Sequence, residues 1–234
     1  MGLRIGDVAL GGRPAIVASG GERETDALAA ATGAGLVELR ADRFEQPTPE
    51  RILAAIMRVR AGRRPVIVTA RHRDEGGTPM PEDVRRAILL SAIPHVAAVD
   101  VEIASTELLS AIAPALTASA GTLILSAHDF RTTPPADALQ AIIDRGRALG
   151  AHVVKIATRT DTPAALETLL GVTLANRAAG IVTLGMGAYG PLSRVALPAA
   201  GSLLTYAAVG EPTAPGQLPL DALAPIVDRL YEGT

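Results

Sequence analysis

The sequence predicts an α/β protein built as a single (β/α)8 TIM barrel over residues 1–234, and three observations carry this expectation. Short β-rich runs alternate with helical stretches eight times in order. Proline and acidic residues open several of the helices, and glycines follow many of them. The early strands start apolar and become polar at alternate positions toward their C-terminal ends, where barrels of this kind build their sites.

The strands are expected near residues 15–19, 36–40, 65–71, 97–103, 122–128, 152–158, 180–186 and 202–209. Helices are expected near 22–31, 48–60, 81–91, 105–117, 134–149, 162–176, 192–199 and 219–231. Thr48-Pro49-Glu50, Met80-Pro81-Glu82 and Asp161-Thr162-Pro163 suit a first helical turn, where free N–H groups and the helix dipole favour them. Gly33, Gly62, Gly121, Gly150 and Gly180 fall between a helix and the next strand, as C-terminal glycines do. The opening residues 1–13, with a Gly11-Gly12 turn signal, are expected to form a short β-hairpin closing the barrel bottom.

Composition removes several classes of function. The net charge is -2 and aromatics make up 2% of the chain, so neither a basic footprint nor stacking platforms for nucleic acid are present. Without cysteine there is no disulfide, thiolate metal site or thiol nucleophile. The first residues, Met1 to Gly6, lack the apolar stretch of a signal peptide, and no run approaches the length of a membrane span. A cytoplasmic protein without membrane contact is expected.

Of 22 basic residues, Lys155 is the only lysine. Composition rich in Ala, Arg, Gly and Pro favours arginine wherever only charge matters. A position that keeps lysine can need what arginine lacks, an amine able to lose its proton. Period-2 alternation supports this reading. Glu38 and Arg40 share one strand face, as do Thr69 and Arg71, Asp100 and Glu102, and Ser126 and His128, while Lys155 faces away from Val154 and Ile156. All of these can point into the barrel. The set suits amine catalysis, in which Lys155 attacks a substrate carbonyl to form an imine that acts as an electron sink. Arg40 and Arg71 are expected beside that lysine, His128 would move protons, and the arginines suggest an anionic substrate.

Other chemistries fit less well. His128 lacks a histidine partner at ligand spacing, and His72 lies between Arg71 and Arg73, so neither a metal nor any cofactor is expected. No serine sits in a G-x-S-x-G elbow. Gly185-Met186-Gly187-Ala188-Tyr189-Gly190 matches G-x-G-x-x-G, yet it lies in the seventh β/α unit rather than at a first βα turn. It reads better as a glycine-rich strand-to-helix loop near an anion, with Arg194 close behind.

Taken in order, these segments resemble the type I 3-dehydroquinate dehydratase family. Glu38-Leu39-Arg40-Ala41-Asp42 is similar to its E-x-R-x-D strand end, and Arg71 followed by Glu75-Gly76-Gly77 to its R-x-x-x-E-G-G segment. Asp100-Val101-Glu102 resembles its D-x-E strand and Ser126-Ala127-His128-Asp129-Phe130 its S-x-H-D-F motif. Lys155 follows His128 by 27 residues, as in the family, and Ser193-Arg194 and Ala214-Pro215-Gly216-Gln217 complete the match. The resemblance implies a Schiff-base hydro-lyase of the shikimate pathway that converts 3-dehydroquinate to 3-dehydroshikimate and water, and a homodimer. It implies that Lys155 forms the imine, His128 transfers protons and Glu75 orients His128. It further implies that Arg194 holds the substrate carboxylate and that Glu38, Arg40 and Arg71 bind ring hydroxyls. Ser19 would be a further substrate contact, and Thr213 and Gln217 would close over the substrate. Thr213 replaces the family's usual serine, Leu39 its usual tryptophan, and the segment around Met186 is richer in glycine. Two alternatives stand beside this: another Schiff-base barrel lyase such as an aldolase, which would want a phosphate cradle at the 185–190 loop, and a non-catalytic binding barrel.

Overall fold

The computed structural model describes residues 2–232. A two-stranded antiparallel ribbon, β1 (Arg4–Ile5) and β2 (Val8–Ala9), precedes the barrel. Its register, Arg4 opposite Ala9 and Ile5 opposite Val8, puts the turn at Gly6-Asp7. The hairpin is therefore where the sequence placed it, but the turn is not Gly11-Gly12. Gly6 takes a positive φ of 59°, the conformation such a tight reversal demands.

The barrel strands and helices follow in strict alternation. They are β3 (Ala15–Gly20), α1 (Thr25–Ala29), β4 (Leu36–Arg40), α2 (Pro49–Arg60), β5 (Val66–Thr69), α3 (Glu82–Ala92), β6 (Ala98–Glu102) and α4 (Thr106–Ser119). The second half comprises β7 (Thr122–Asp129), α5 (Ala136–Ala148), β8 (Val153–Arg159), α6 (Pro163–Ala175), β9 (Ile181–Met186), α7 (Gly190–Ala199) and β10 (Leu204–Ala208). A short β11 (Leu218–Pro219) and α8 (Leu220–Leu230) end the described chain. Every pairing in the large sheet is parallel, in the order β11-β10-β3-β4-β5-β6-β7-β8-β9. The curl brings β9 back to β10, where the Leu203 N–H donates to the Ile181 carbonyl at 3.0 Å.

Helix starts follow the local signals where a threonine precedes a proline. The Thr48 hydroxyl accepts from the Arg51 N–H and that of Thr162 from the Ala165 N–H, with Pro49 and Pro163 in the first turn. The first helix is shorter than expected. Thr25 Oγ1 donates to the Glu22 carbonyl and Glu24 accepts from the Gly21 N–H, so side chains take backbone groups a longer helix would use. The last helix before β10 begins two residues early, at Gly190, because Pro191 is well placed in a first turn.

Two apolar layers flank the sheet. Outward-facing residues such as Val37, Val68, Val99, Leu125 and Val154 pack against the helices. Inward-facing Val17, Leu36, Ile67, Ala98, Ile124, Val153 and Val182 fill the lower barrel, and Ile5 of the ribbon plugs it from below. Two residues further along, the same inward face of all these strands but β9 carries Ser19, Glu38, Thr69, Asp100, Ser126 and Lys155, all buried. The site thus rests on a dry apolar floor and opens at the C-terminal rim.

Candidate active site

The residues expected to act on or bind the substrate, Ser19 apart, line one cavity at this rim. Lys155, 4% exposed, extends its Nζ between two carboxylates, 2.8 Å from Asp100 Oδ2 and 3.7 Å from Glu38 Oε1. The Tyr206 ring lies beside it, with the Nζ 4.2 Å from the ring centroid. The arginines expected as its neighbours line the same cavity and are each paired with acids, Arg71 sharing Asp100 with the lysine. Arg40 donates through Nε and Nη2 to Asp42 at 2.9 and 2.8 Å, a bidentate pair. Arg71 pairs with Asp100 at 2.9 Å and Glu102 at 3.0 Å, and also donates to Ser126 Oγ at 2.6 Å.

These pairs extend outward from the cavity. Glu102 accepts from the His72 N–H at 2.9 Å and pairs with Arg85 of α3, which is fully buried and donates to the Ala70 carbonyl at 2.8 Å. Buried charges survive only when matched, and here an alternating series runs from Arg85 through Glu102, Arg71 and Asp100 to Lys155. Burial alone would raise the Asp100 carboxyl, but the charges of Arg71 and Lys155 hold it well below the usual carboxylate range.

On the opposite wall, His128 Nδ1 lies 2.8 Å from Glu75 Oε2, and the His128 N–H donates to the same oxygen at 3.0 Å. Burial first, then the charges of Arg71 and Lys155, pushes His128 well below the ordinary imidazole value. Burial likewise pushes the Glu75 carboxyl up to about 8, with Arg71 opposing and Glu102 and Asp100 adding to the rise. Phe130 stacks on His128 with ring centroids 6.4 Å apart. Gly76 makes room for it: its φ is +85°, and a Cβ there would sit 2.4 Å from Phe130 Cζ. The Glu75-Gly76 pair therefore belongs to the histidine's mount.

Arg194 differs from the other buried cations. It is 2% exposed and donates through Nη2 to the Gly185 carbonyl at 3.3 Å, yet among the described residues it forms no ion pair. Burial lowers it to about 10. Its Nε and the Tyr206 hydroxyl are the buried side-chain polar atoms without a partner among the described residues.

The segment from 209 to 217 folds over the cavity. Thr213 Oγ1 lies 3.1 Å from Ser19 Oγ, and the Thr213 N–H and hydroxyl donate to Gln217 Oε1 at 2.8 and 3.0 Å. Arg43 grips the segment from outside, donating to the Pro212 and Thr213 carbonyls at 3.3 and 3.2 Å. Ser19 stands behind the cavity wall rather than in it and donates to Glu38 Oε2 at 2.6 Å, while Thr69 donates to Glu38 Oε1 at 2.9 Å. The glycine-rich 185–190 loop is where this segment seats. A Cβ at Gly190 would lie 2.9 Å from Gly216 Cα, and one at Gly216 would lie 2.8 Å from the Gly187 carbonyl. Two backbones meet where no side chain fits, and this accounts for the extra glycine.

Residue order by itself assigns no chemical role to Asp100, Arg85 or Tyr206. Asp100 sits on the face already assigned to the interior, so its pairing with Lys155 was within reach. Tyr206 shares its face with Leu204 on the last barrel strand, and period 2 places both inward. Arg85 left no signal, since an arginine on a helix usually faces solvent.

Comparison with known proteins agrees with this geometry. Residues 16–233 match the family model described as type I 3-dehydroquinase. A 3-dehydroquinate dehydratase of Methanococcoides burtonii is 34% identical over 97% of this chain and 99% of its own. One of Thermodesulfovibrio yellowstonii is 37% identical over 80% of this chain and 82% of its own. The crystal structure of 3-dehydroquinate dehydratase from Geobacillus kaustophilus superimposes with a TM-score of 0.82 at 29% identity, covering 94% of this chain and 92% of that one.

Proposed function

The chain belongs to the type I 3-dehydroquinase family, and from that premise we propose that it dehydrates 3-dehydroquinate to 3-dehydroshikimate through an imine on Lys155, as a cytoplasmic enzyme of the shikimate pathway. The observation that carries this reading is the buried Lys155 amine facing the same cavity as the Glu75-paired His128 and Arg194, which forms no ion pair among the described residues. We read the whole chain, 1–234, as one catalytic barrel.

Arg194 would take the substrate carboxylate, supplying the counter-charge that no protein acid supplies to it among the described residues. Glu38, Arg40 and Arg71 would receive the ring hydroxyls. Lys155 Nζ attacks the ring ketone, and loss of that oxygen as water leaves a protonated imine. His128 then removes a proton from the adjacent carbon, and the C–H electron pair flows toward the imine nitrogen to give an enamine. Those electrons return to expel the hydroxyl from the next carbon, forming the ring double bond, while His128 hands its proton to the departing oxygen. Water finally hydrolyses the imine and frees Lys155. Glu75 keeps the imidazole oriented and stabilises the imidazolium formed on the way, a carboxylate–histidine arrangement suited to a base that becomes an acid. The closed 209–217 segment keeps bulk water from the imine until release.

The test is borohydride reduction in the presence of 3-dehydroquinate, followed by peptide mass spectrometry. A reduced adduct on the peptide containing Lys155, together with enone absorbance on mixing, is expected. Neither signal appearing would rule the reading out.

A further inference from the structure

The mechanism above leaves one polar group unused. Tyr206 is 4% exposed, lines the cavity, and has a hydroxyl with no partner among the described residues. Burying a phenol without a hydrogen bond is costly, and a phenylalanine would pack the same ring beside Lys155 without that cost. The second such orphan, Arg194 Nε, lines the same cavity, and Thr205, next to Tyr206, donates to the Arg194 carbonyl at 2.9 Å. Both are donors. Two donors left unsatisfied together, with no acceptor supplied among the described residues, describe a receptor for a ligand oxygen acceptor.

We propose that the Tyr206 hydroxyl is a substrate-binding donor that, together with Arg194 Nε, receives the carboxylate of the substrate. This rests on the function proposed above. The phenol suits the task because it stays neutral: burial first, then the nearby charges of Glu38 and Asp100, pushes it well above its ordinary value, so it donates rather than repels an anion. A guanidinium and a phenol together discriminate better than a guanidinium alone. A ring lacking the carboxylate leaves both donors buried and unpaired, and such a site rejects the analogue strongly. The aromatic face keeps its separate role beside the lysine, 4.2 Å from Nζ.

Tyr206→Phe removes only the hydroxyl. For 3-dehydroquinate, KM is expected to rise about tenfold or more, the loss for a hydrogen bond to a charged group, while kcat changes little. The ligand-free variant should unfold at the same temperature as wild type or higher, because an unsatisfied donor is gone; a merely structural hydroxyl would lower it. The alcohol analogue of the substrate, whose ring ketone is reduced so that no imine forms, should bind the variant about tenfold more weakly by calorimetry. An unchanged KM and unchanged analogue affinity would overturn the proposal, as would an equal loss of affinity for an analogue without the carboxylate. Wild-type turnover with an indifferent Tyr206→Phe sinks only this inference. Wild-type binding of the analogue without turnover, weakened in the variant, sinks only the reaction. A wild type that does neither overturns both.

Discussion

Glu75→Gln isolates the charge of the histidine's partner while keeping an oxygen that can accept its two hydrogen bonds. Glu75 Oε2 receives the His128 N–H at 3.0 Å and lies 2.8 Å from Nδ1, in a site where Glu75 is 15% and His128 10% exposed. Hydrogen bonds to charged groups contribute about 1.5–3 kcal/mol, and this one strengthens as the imidazolium forms, so kcat should fall roughly 10- to 100-fold. The pH profile should change as well. The Glu75 carboxyl is pushed up to about 8 while His128 is pushed down, so below that pH the pair retains a proton that blocks the base. As pH rises through about 8 the pair loses that proton, Nε2 becomes free to accept from substrate, and wild-type kcat rises. The amide cannot titrate. In the variant the lowered His128 is already neutral, and the step near pH 8 should be absent. Following enone absorbance across pH gives both quantities. A variant within about twofold of wild type in kcat, or one keeping the same rising limb, refutes the assignment of Glu75.

Lys155→Arg keeps the positive charge between Asp100 and Glu38 but has no amine to form an imine, so turnover and borohydride labelling should both vanish; residual activity well above background would contradict the imine route. Gly190→Ala drives a methyl against Gly216, and the 209–217 segment should no longer seat; KM is expected to rise about tenfold and the segment to become a protease target, with both unchanged if the glycine contact is incidental. Arg85→Ala leaves the buried Glu102 Oε2 with Ser105 Oγ at 3.1 Å as its remaining side-chain partner, and urea denaturation should show a loss of about 3 kcal/mol. A loss below about 0.5 kcal/mol would mean Glu102 does not depend on the helix.

Much of the site could be read from residue order because parallel strands have a side-chain period of two. Once Val37, Val68, Val99, Leu125 and Val154 are assigned to the helices, Glu38, Thr69, Asp100, Ser126 and Lys155 must face the interior together. The single lysine among 22 basic residues then marks the proposed nucleophile, and its strand places it at the C-terminal rim. The helix starts at Thr48-Pro49 and Thr162-Pro163 were legible for the same reason, that a cap acts within three residues of itself.

What only the tertiary structure decided is which charges meet. Strand order places Asp100 nearer to Lys155 than Arg71 or Arg40, but order alone pairs none of them; the curl of the barrel gives Arg40 to Asp42, has Arg71 share Asp100 with the lysine, and brings Glu38 to within 3.7 Å of Lys155 Nζ. Arg85 reaches Glu102 from a helix 17 residues earlier, and Gly216 reaches Gly190 across the mouth. Arg194 Nε and the Tyr206 hydroxyl are distinguished by having no acceptor among the described residues, a property no residue carries in its own letter. Strand periodicity is local and repeats along the chain, so sequence alone determined the facing of these side chains. Coulomb attraction and hydrogen bonding fall off over a few ångströms, so their partners were determined only when the sheet closed.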